Sequence, residues 1–156
     1  MMTWQDLHHS ELTVPQLYAL LHLRCAVFVV EQNCPYLDVD GEDLSGENRH
    51  ILGWQGGKLV AYARILTSDR HHPLVIGRVI VNPACRGQKL GNQLLEHVMA
   101  ACQRHWPGVA PYLSAQAHLQ HFYQQFGFEP VTDVYLEDDI PHRGMAWIKN
   151  TQSNVG

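Results

Sequence analysis

From Val14 to about Val30, apolar residues recur at three- and four-residue spacing. Leu17, Leu20, Leu21, Cys25 and Phe28 fall on one face, and Pro15 suits a first turn, so the pattern predicts a helix. Trp4 to Leu7 precedes it as a short strand. Residues 32 to 48 (QNCPYLDVDGEDLSGEN) then lose the periodicity and carry Pro35, two glycines and five carboxylates. A long acidic loop is expected there, and such loops inside compact domains are often functional. The runs His50 to Trp54 and Leu59 to Leu66 flank Gln55-Gly56-Gly57-Lys58, a hairpin with the two glycines at its tip. Leu74 to Val81 reads as a strand ended by Asn82-Pro83. Gly91 to about Trp106 reads as a second helix, with Leu90, Leu94, Val98 and Cys102 on one face and Pro107-Gly108 as its stop. Tyr112 to Gln116 is a short buried strand, and His118 to Phe126 a short helix capped by Gly127. Phe128 to Glu137 and Arg143 to Lys149 are two final strands around a turn at Asp138 to His142.

The resulting order is β-α-β-β-β-α-β-α-β-β. Hairpins come first and αβ units later, which predicts an α/β (α+β) fold on a mixed sheet. Neither a repeat nor a linker interrupts it, so a single domain is expected over residues 3–149, with a short tail at 150–156.

Composition narrows the function classes. The 156 residues suffice for one real core, and 46% hydrophobic with 17% charged residues excludes a disordered chain. The net charge of -4, with no stripe of Lys or Arg, argues against nucleic acid as a partner, while leaving room for a local basic pocket. No stretch approaches the roughly 20 apolar residues of a membrane span. The start, MMTWQDLHHSEL, lacks the basic-then-apolar order of a signal peptide. Cys25, Cys34, Cys85 and Cys102 form no C-x-x-C pair, and reduced thiols in the cytoplasm are expected. Among eleven histidines, His118 and His121 share a helix face but have no evident third ligand, so no metal is expected. Asp38-x-Asp40-x-Glu42 lacks the glycine and terminal glutamate of a calcium loop.

The informative segment is Val79-Ile80-Val81-Asn82-Pro83-Ala84-Cys85-Arg86-Gly87-Gln88-Lys89-Leu90-Gly91. A strand ends, a turn carries Arg and Gly, and a long helix begins. Backbone N–H groups without an intrahelical partner, the positive end of the helix dipole and the charge of Arg86 or Lys89 together suit a pyrophosphate. The patterns G-x-x-x-x-G-K-[ST] and G-x-G-x-x-G are both absent.

This segment resembles motif A of the GNAT acetyltransferase superfamily, [QR]-x-x-G-x-[GA], and Tyr123-Gln124-Gln125-Phe126-Gly127-Phe128 resembles that superfamily's Y-x-x-x-G-F ending. Leu23-Arg24, Val27-Phe28, Glu31-Gln32, Cys34-Pro35, Asp40-Gly41, His50 and Ile140-Pro141-His142 are similar to the pattern of its small bacterial ElaA group, over nearly the whole chain. Two positions depart from the general motif. Lys89 replaces a glycine, which the loop tolerates if residue 89 already has helical dihedrals. Gln116 stands where many members have Asn.

The resemblance implies a mostly antiparallel sheet of about seven strands, binding of acetyl-CoA as cosubstrate, and direct acetyl transfer to an amine. Arg86, Gly87, Gln88, Lys89, Leu90 and Gly91 would hold the pyrophosphate. The strand ending at Val81 would splay from Tyr112–Gln116, so that free backbone groups of Val79 and Val81 bond pantetheine like an added strand. An N–H near Val79 or Ile80 would polarise the thioester carbonyl, and Gln116 would hold the cosubstrate. Tyr123 would protonate the departing thiolate, or be a core aromatic. Glu31, Asp40, Asp43, His50 and His142 remain candidates for the base, the histidines because they titrate near neutral pH. The acidic loop could recognise a cationic acceptor. Arg64 and Arg78 could pair with loop carboxylates or line the acceptor pocket. Sheet-edge homodimers are common in the superfamily.

Three other functions compete. A non-catalytic acyl-CoA sensor would keep the Arg86–Gly91 loop without needing Tyr123 or a base. Arg24 to Glu31 loosely resembles the front of acyl-homoserine-lactone synthases, which are longer. A DNA-binding regulator would need a basic recognition helix, which is absent.

Overall fold

The computed structural model describes residues 1–148, so Lys149 of the expected last strand and the expected tail at 150–156 lie outside the described residues. β1 (Met2–His8), β2 (Arg49–Gln55), β3 (Lys58–Leu66) and β4 (Val75–Val81) form an antiparallel half-sheet in that order. The second half consists of β5 (Tyr112–Gln116), β8 (Ile140–Trp147) and, along the far edge of β8, β6 (Phe128–Pro130) and β7 (Tyr135–Glu137). α1 (Val14–Arg24) follows β1, α2 (Leu90–His105) joins β4 to β5, and α3 (Gln120–Gln124) follows β5. This is the predicted mixed α/β class, with eight strands rather than seven.

The halves meet only through the parallel pair β4–β5, which is hydrogen-bonded at Val75↔Tyr112 and Ile76↔Leu113 and then diverges. The expected splay is therefore present. A register shift between Tyr62 and Arg64 bends β4 away, and Arg78 adopts a left-handed φ of 52° at that irregularity.

Several expected boundaries move. The first helix does not remain α-helical to Val30. Cys25–Glu31 is a π-helical turn, with Gln32 N–H donating to Val27 O at 3.1 Å and Cys34 N–H to Val29 O at 3.2 Å. Three β-branched valines crowd an ordinary turn there, and wide turns of this kind favour functional positions. Cys25, expected on the buried face, is exposed, whereas Leu20, Leu23 and Val27 are buried. Val14–Glu31 is also long and apolar enough to cross a membrane by length and composition, contrary to the sequence expectation. In the fold it lies on the sheet, and the Arg24 guanidinium is fully buried.

The single strand expected from Phe128 to Glu137 is two strands. Pro130 has no N–H to continue the ladder, and the intervening loop is pinned by Gly144 N–H to Thr132 Oγ1 at 2.9 Å. The expected turn at Asp138–His142 is only Asp138-Asp139, both at positive φ (50° and 62°), so His142 sits in β8 and not in a turn.

The cores lie on opposite faces of the sheet. Leu94, Leu95, Val98 and Cys102 of α2 pack on Ile51, Ala63, Ile65 and Leu113, while Leu20, Leu23 and Val27 pack on Leu52, Tyr62 and Ile80. The predicted stripe of α2 is buried throughout.

Candidate functional site

α2 starts without a side-chain cap. Its N-cap is Lys89, at a left-handed φ of 59°, which corrects the expectation of helical dihedrals at this residue. The N–H groups of the first turn, beginning with Leu90 and Gly91, thus have neither an intrahelical acceptor nor a cap. Gly87 has φ 93° and open space where a Cβ would lie, and Gln88 and Lys89 are exposed beside it. Gly91 packs under Phe122, whose ring would lie 3.5 Å from an added Cβ. An uncapped 16-residue helix behind an open glycine turn fits a pyrophosphate.

Arg86 does not point into that turn. Its Nε donates to Val81 O at 3.2 Å, and its two terminal nitrogens grip Glu31 at 2.7 and 2.9 Å. Glu31, at the end of the π turn, is held below the usual carboxylate range mainly by the Arg86 hydrogen bond. It is a fixed anion rather than a base poised to take a proton.

The cleft at the β4–β5 divergence contains Val79, Gln116, Tyr123 and His142, four of the residues named from the sequence, while Ile80 points into the core opposite Tyr62. Tyr123 is nearly buried, and its hydroxyl has no hydrogen-bond partner among the described residues. Burial pushes its pKa well up, so the phenol keeps its proton at neutral pH.

His142 faces this cleft from β8. Its Nδ1 lies 2.7 Å from Ile140 O, and a carbonyl can only accept, so the neutral ring carries its hydrogen there and leaves Nε2 bare. Nε2 lies 3.6 Å from Glu137 Oε2, near enough to stabilise an imidazolium. Ser114 Oγ donates to Glu137 Oε1 at 3.3 Å and also bonds the Tyr135 hydroxyl. The register explains this grouping: His142 is the Cα partner of Gln116 on one side and of Tyr135 on the other. Sequence reasoning missed Ser114, Tyr135 and Glu137. Their only signal was the two-residue spacing that puts Tyr135 and Glu137 on one face of a strand.

The other base candidates lie in a buried ion network. Arg24 binds Asp38 at 2.9 Å and Asp43 at 2.5 Å, Arg64 binds Asp40 at 2.6 Å and Asp43 at 2.9 Å, and Arg78 binds Asp38 at 2.8 Å. Burial alone would raise Asp40 and Asp43. The hydrogen bond from Arg64 to the first and from Arg24 to the second wins, and both stay below the ordinary range. His50 is completely buried, with Nδ1 2.6 Å from the Tyr62 hydroxyl and Nε2 2.9 Å from Asp43 O. Burial lowers its pKa, and neither nitrogen is free. Arg64 and Arg78 pair with loop carboxylates, one of the two roles considered for them, and both also line the cleft. No group of three metal-ligating side chains occurs among the described residues.

Residues 26–149 match the family model for the acetyltransferase (GNAT) domain. The chain is 68% identical over 147 residues to Protein ElaA of Escherichia coli, covering 94% of this chain and 96% of that protein. The crystal structure of E. coli ElaA superposes with a TM-score of 0.91 at 66% identity, over 95% of this chain and all of that one. An acyl-CoA N-acyltransferase from Pseudomonas aeruginosa gives 0.91 at 53% identity, over 95% and 100% of the two chains. An aminoglycoside 6'-N-acetyltransferase complexed with coenzyme A gives 0.66 at 15% identity, over 91% and 95%, a likeness of fold alone.

Proposed function

The chain belongs to the GNAT acetyltransferase family and is an acyltransferase, and on that footing we propose that it uses acetyl-CoA to acetylate an amine by direct attack. One observation carries this reading: Tyr123, whose hydroxyl has no hydrogen-bond partner among the described residues, and His142, with a bare ring nitrogen, line the same cleft. When bound, acetyl-CoA supplies the activated acyl group and a thiol leaving group.

The chain's own residues do the rest. The Gly87–Gly91 turn and the α2 N-terminus hold the pyrophosphate, and Arg86 lies within reach of the same turn. The diverging edge of β4 at Val79 offers backbone groups to pantetheine, and an N–H there polarises the thioester carbonyl. Gln116, across the divergence, holds the pantetheine arm. His142 Nε2 removes a proton from the acceptor ammonium, with Glu137 stabilising the imidazolium. A C–N bond then forms as the C–S bond breaks. Tyr123 gives its proton to the thiolate and recovers one from the nitrogen, which loses two protons in all.

The test is thiol release from acetyl-CoA against small amines, polyamines and peptides. Acceptor-dependent release is expected. Tight CoA binding without release on any acceptor would instead point to a non-catalytic acyl-CoA sensor. Tyr123→Phe should lower kcat by about 10²- to 10⁴-fold with CoA affinity unchanged; equal turnover in the two proteins removes Tyr123 from the mechanism.

A further inference from the structure

The carboxylates that line the cleft are Glu137 and Asp138, and a separate set pairs with its lining arginines Arg64 and Arg78. Asp38, Asp40 and Asp43 are matched by Arg24, Arg64 and Arg78, three charges against three, and cannot attract a further cation strongly. Glu137 has no arginine or lysine partner among the described residues. Its side chain is half-exposed, faces the same cleft, and is steadied by Ser114 on one oxygen. Its other oxygen faces His142 Nε2 at 3.6 Å, too far for a direct hydrogen bond. Phe28, Leu66, Leu113 and Ile140 supply apolar wall to the same cleft, and Ile140 is the cross-strand partner of Glu137.

Resting on the acetyltransferase reading above, we propose that Glu137 is the acceptor-binding residue, and that it takes a primary alkylammonium with an unbranched apolar stem. The ammonium bonds the Glu137 carboxylate beside His142, which places its proton next to the base. The stem lies along the apolar walls. The end of a polyamine and a lysine side chain share this chemistry.

The full-length protein tests this in two ways. Initial rates with acetyl-CoA are measured for butylamine, spermidine and a lysine-containing peptide, and butylamine is titrated calorimetrically onto the protein without acetyl-CoA. Glu137→Gln should raise acceptor KM and weaken the calorimetric affinity by about tenfold to a hundredfold, the worth of one charge-assisted hydrogen bond. Its KM for acetyl-CoA should stay within about threefold, since it does not depend on acceptor capture, whereas kcat should fall as well because Glu137 also stabilises the His142 imidazolium; the calorimetric affinity is the readout that isolates acceptor binding. Glu137→Asp should recover part of the loss, and Glu137→Lys should abolish alkylammonium binding. Preference for spermidine or for the peptide identifies the source. Wild-type turnover with an unchanged acceptor KM in Glu137→Gln overturns the assignment alone. Absence of turnover with every amine overturns the acetyltransferase reading and this assignment with it.

Discussion

The loop at residues 32–48 and the β7–β8 hairpin both border one cleft and both carry carboxylates, with opposite consequences. In the loop, Asp38 and Asp43 are nearly buried and each bonds a guanidinium. In the hairpin, Glu137 keeps half its side chain in solvent and meets only a histidine and a hydroxyl. A buried carboxylate must be neutralised where it stands, because the cost of leaving it unpaired is large. A half-exposed one stays hydrated and free to exchange water for a ligand. The acidic loop is thus structural, and the smaller cluster of charge is the available one.

The largest effect expected from this contrast is on stability. Arg24→Met leaves Asp38 and Asp43 short of a buried partner and should cost about 3–5 kcal/mol, read by urea unfolding. A loss under about 1 kcal/mol would mean that the loop carboxylates are solvated and the contrast fails. On the hairpin side, His142→Gln should lower kcat by about a hundredfold while acetyl-CoA binding and the unfolding midpoint hold; unchanged kcat would return the base to the open list.

Acid should affect the two regions in sequence. His50 is buried neutral with a lowered pKa, so the unfolded chain binds a proton that the folded one excludes, and stability falls as pH drops below about 6.5, the unfolded value. Asp40 and Asp43 are lowered below their unfolded value of 3.8, so their contribution is intact above it and is lost as pH falls further. Thermal midpoints should therefore decline in two phases, and His50→Gln should remove the first alone. The smallest effect concerns the exposed pair of Glu31 and Arg86. Glu31→Gln should change stability by less than about 1 kcal/mol, and a greater loss would mean that this pair anchors the π turn to the pyrophosphate loop.

Much of this was legible in the sequence because it is local. The α2 stripe, the Gly56-Gly57 hairpin and the turn before α2 depend on residues a few positions apart, and all appear where the pattern put them. The π turn was not legible, since its 3.6-like spacing differs from an α-helix only in how backbone groups pair. Lys89 also escaped, because a left-handed lysine is rare enough that its identity argues for the wrong dihedral.

The order of the elements as far as α3, the helix-start turn suited to an anion and the family resemblance that singles out Tyr123 all follow from the amino-acid sequence alone. Only the tertiary structure decided which titratable groups are free. His50 and His142 are the same residue type, and each lies near the start of a strand, yet one has both nitrogens committed in the interior and the other keeps Nε2 open to the cleft. The physical reason is that a side chain's chemistry is set by its partners across strands. His142 meets Gln116 and Tyr135 from segments 26 and 7 positions away only because β8 pairs with β5 on one edge and with β7 on the other.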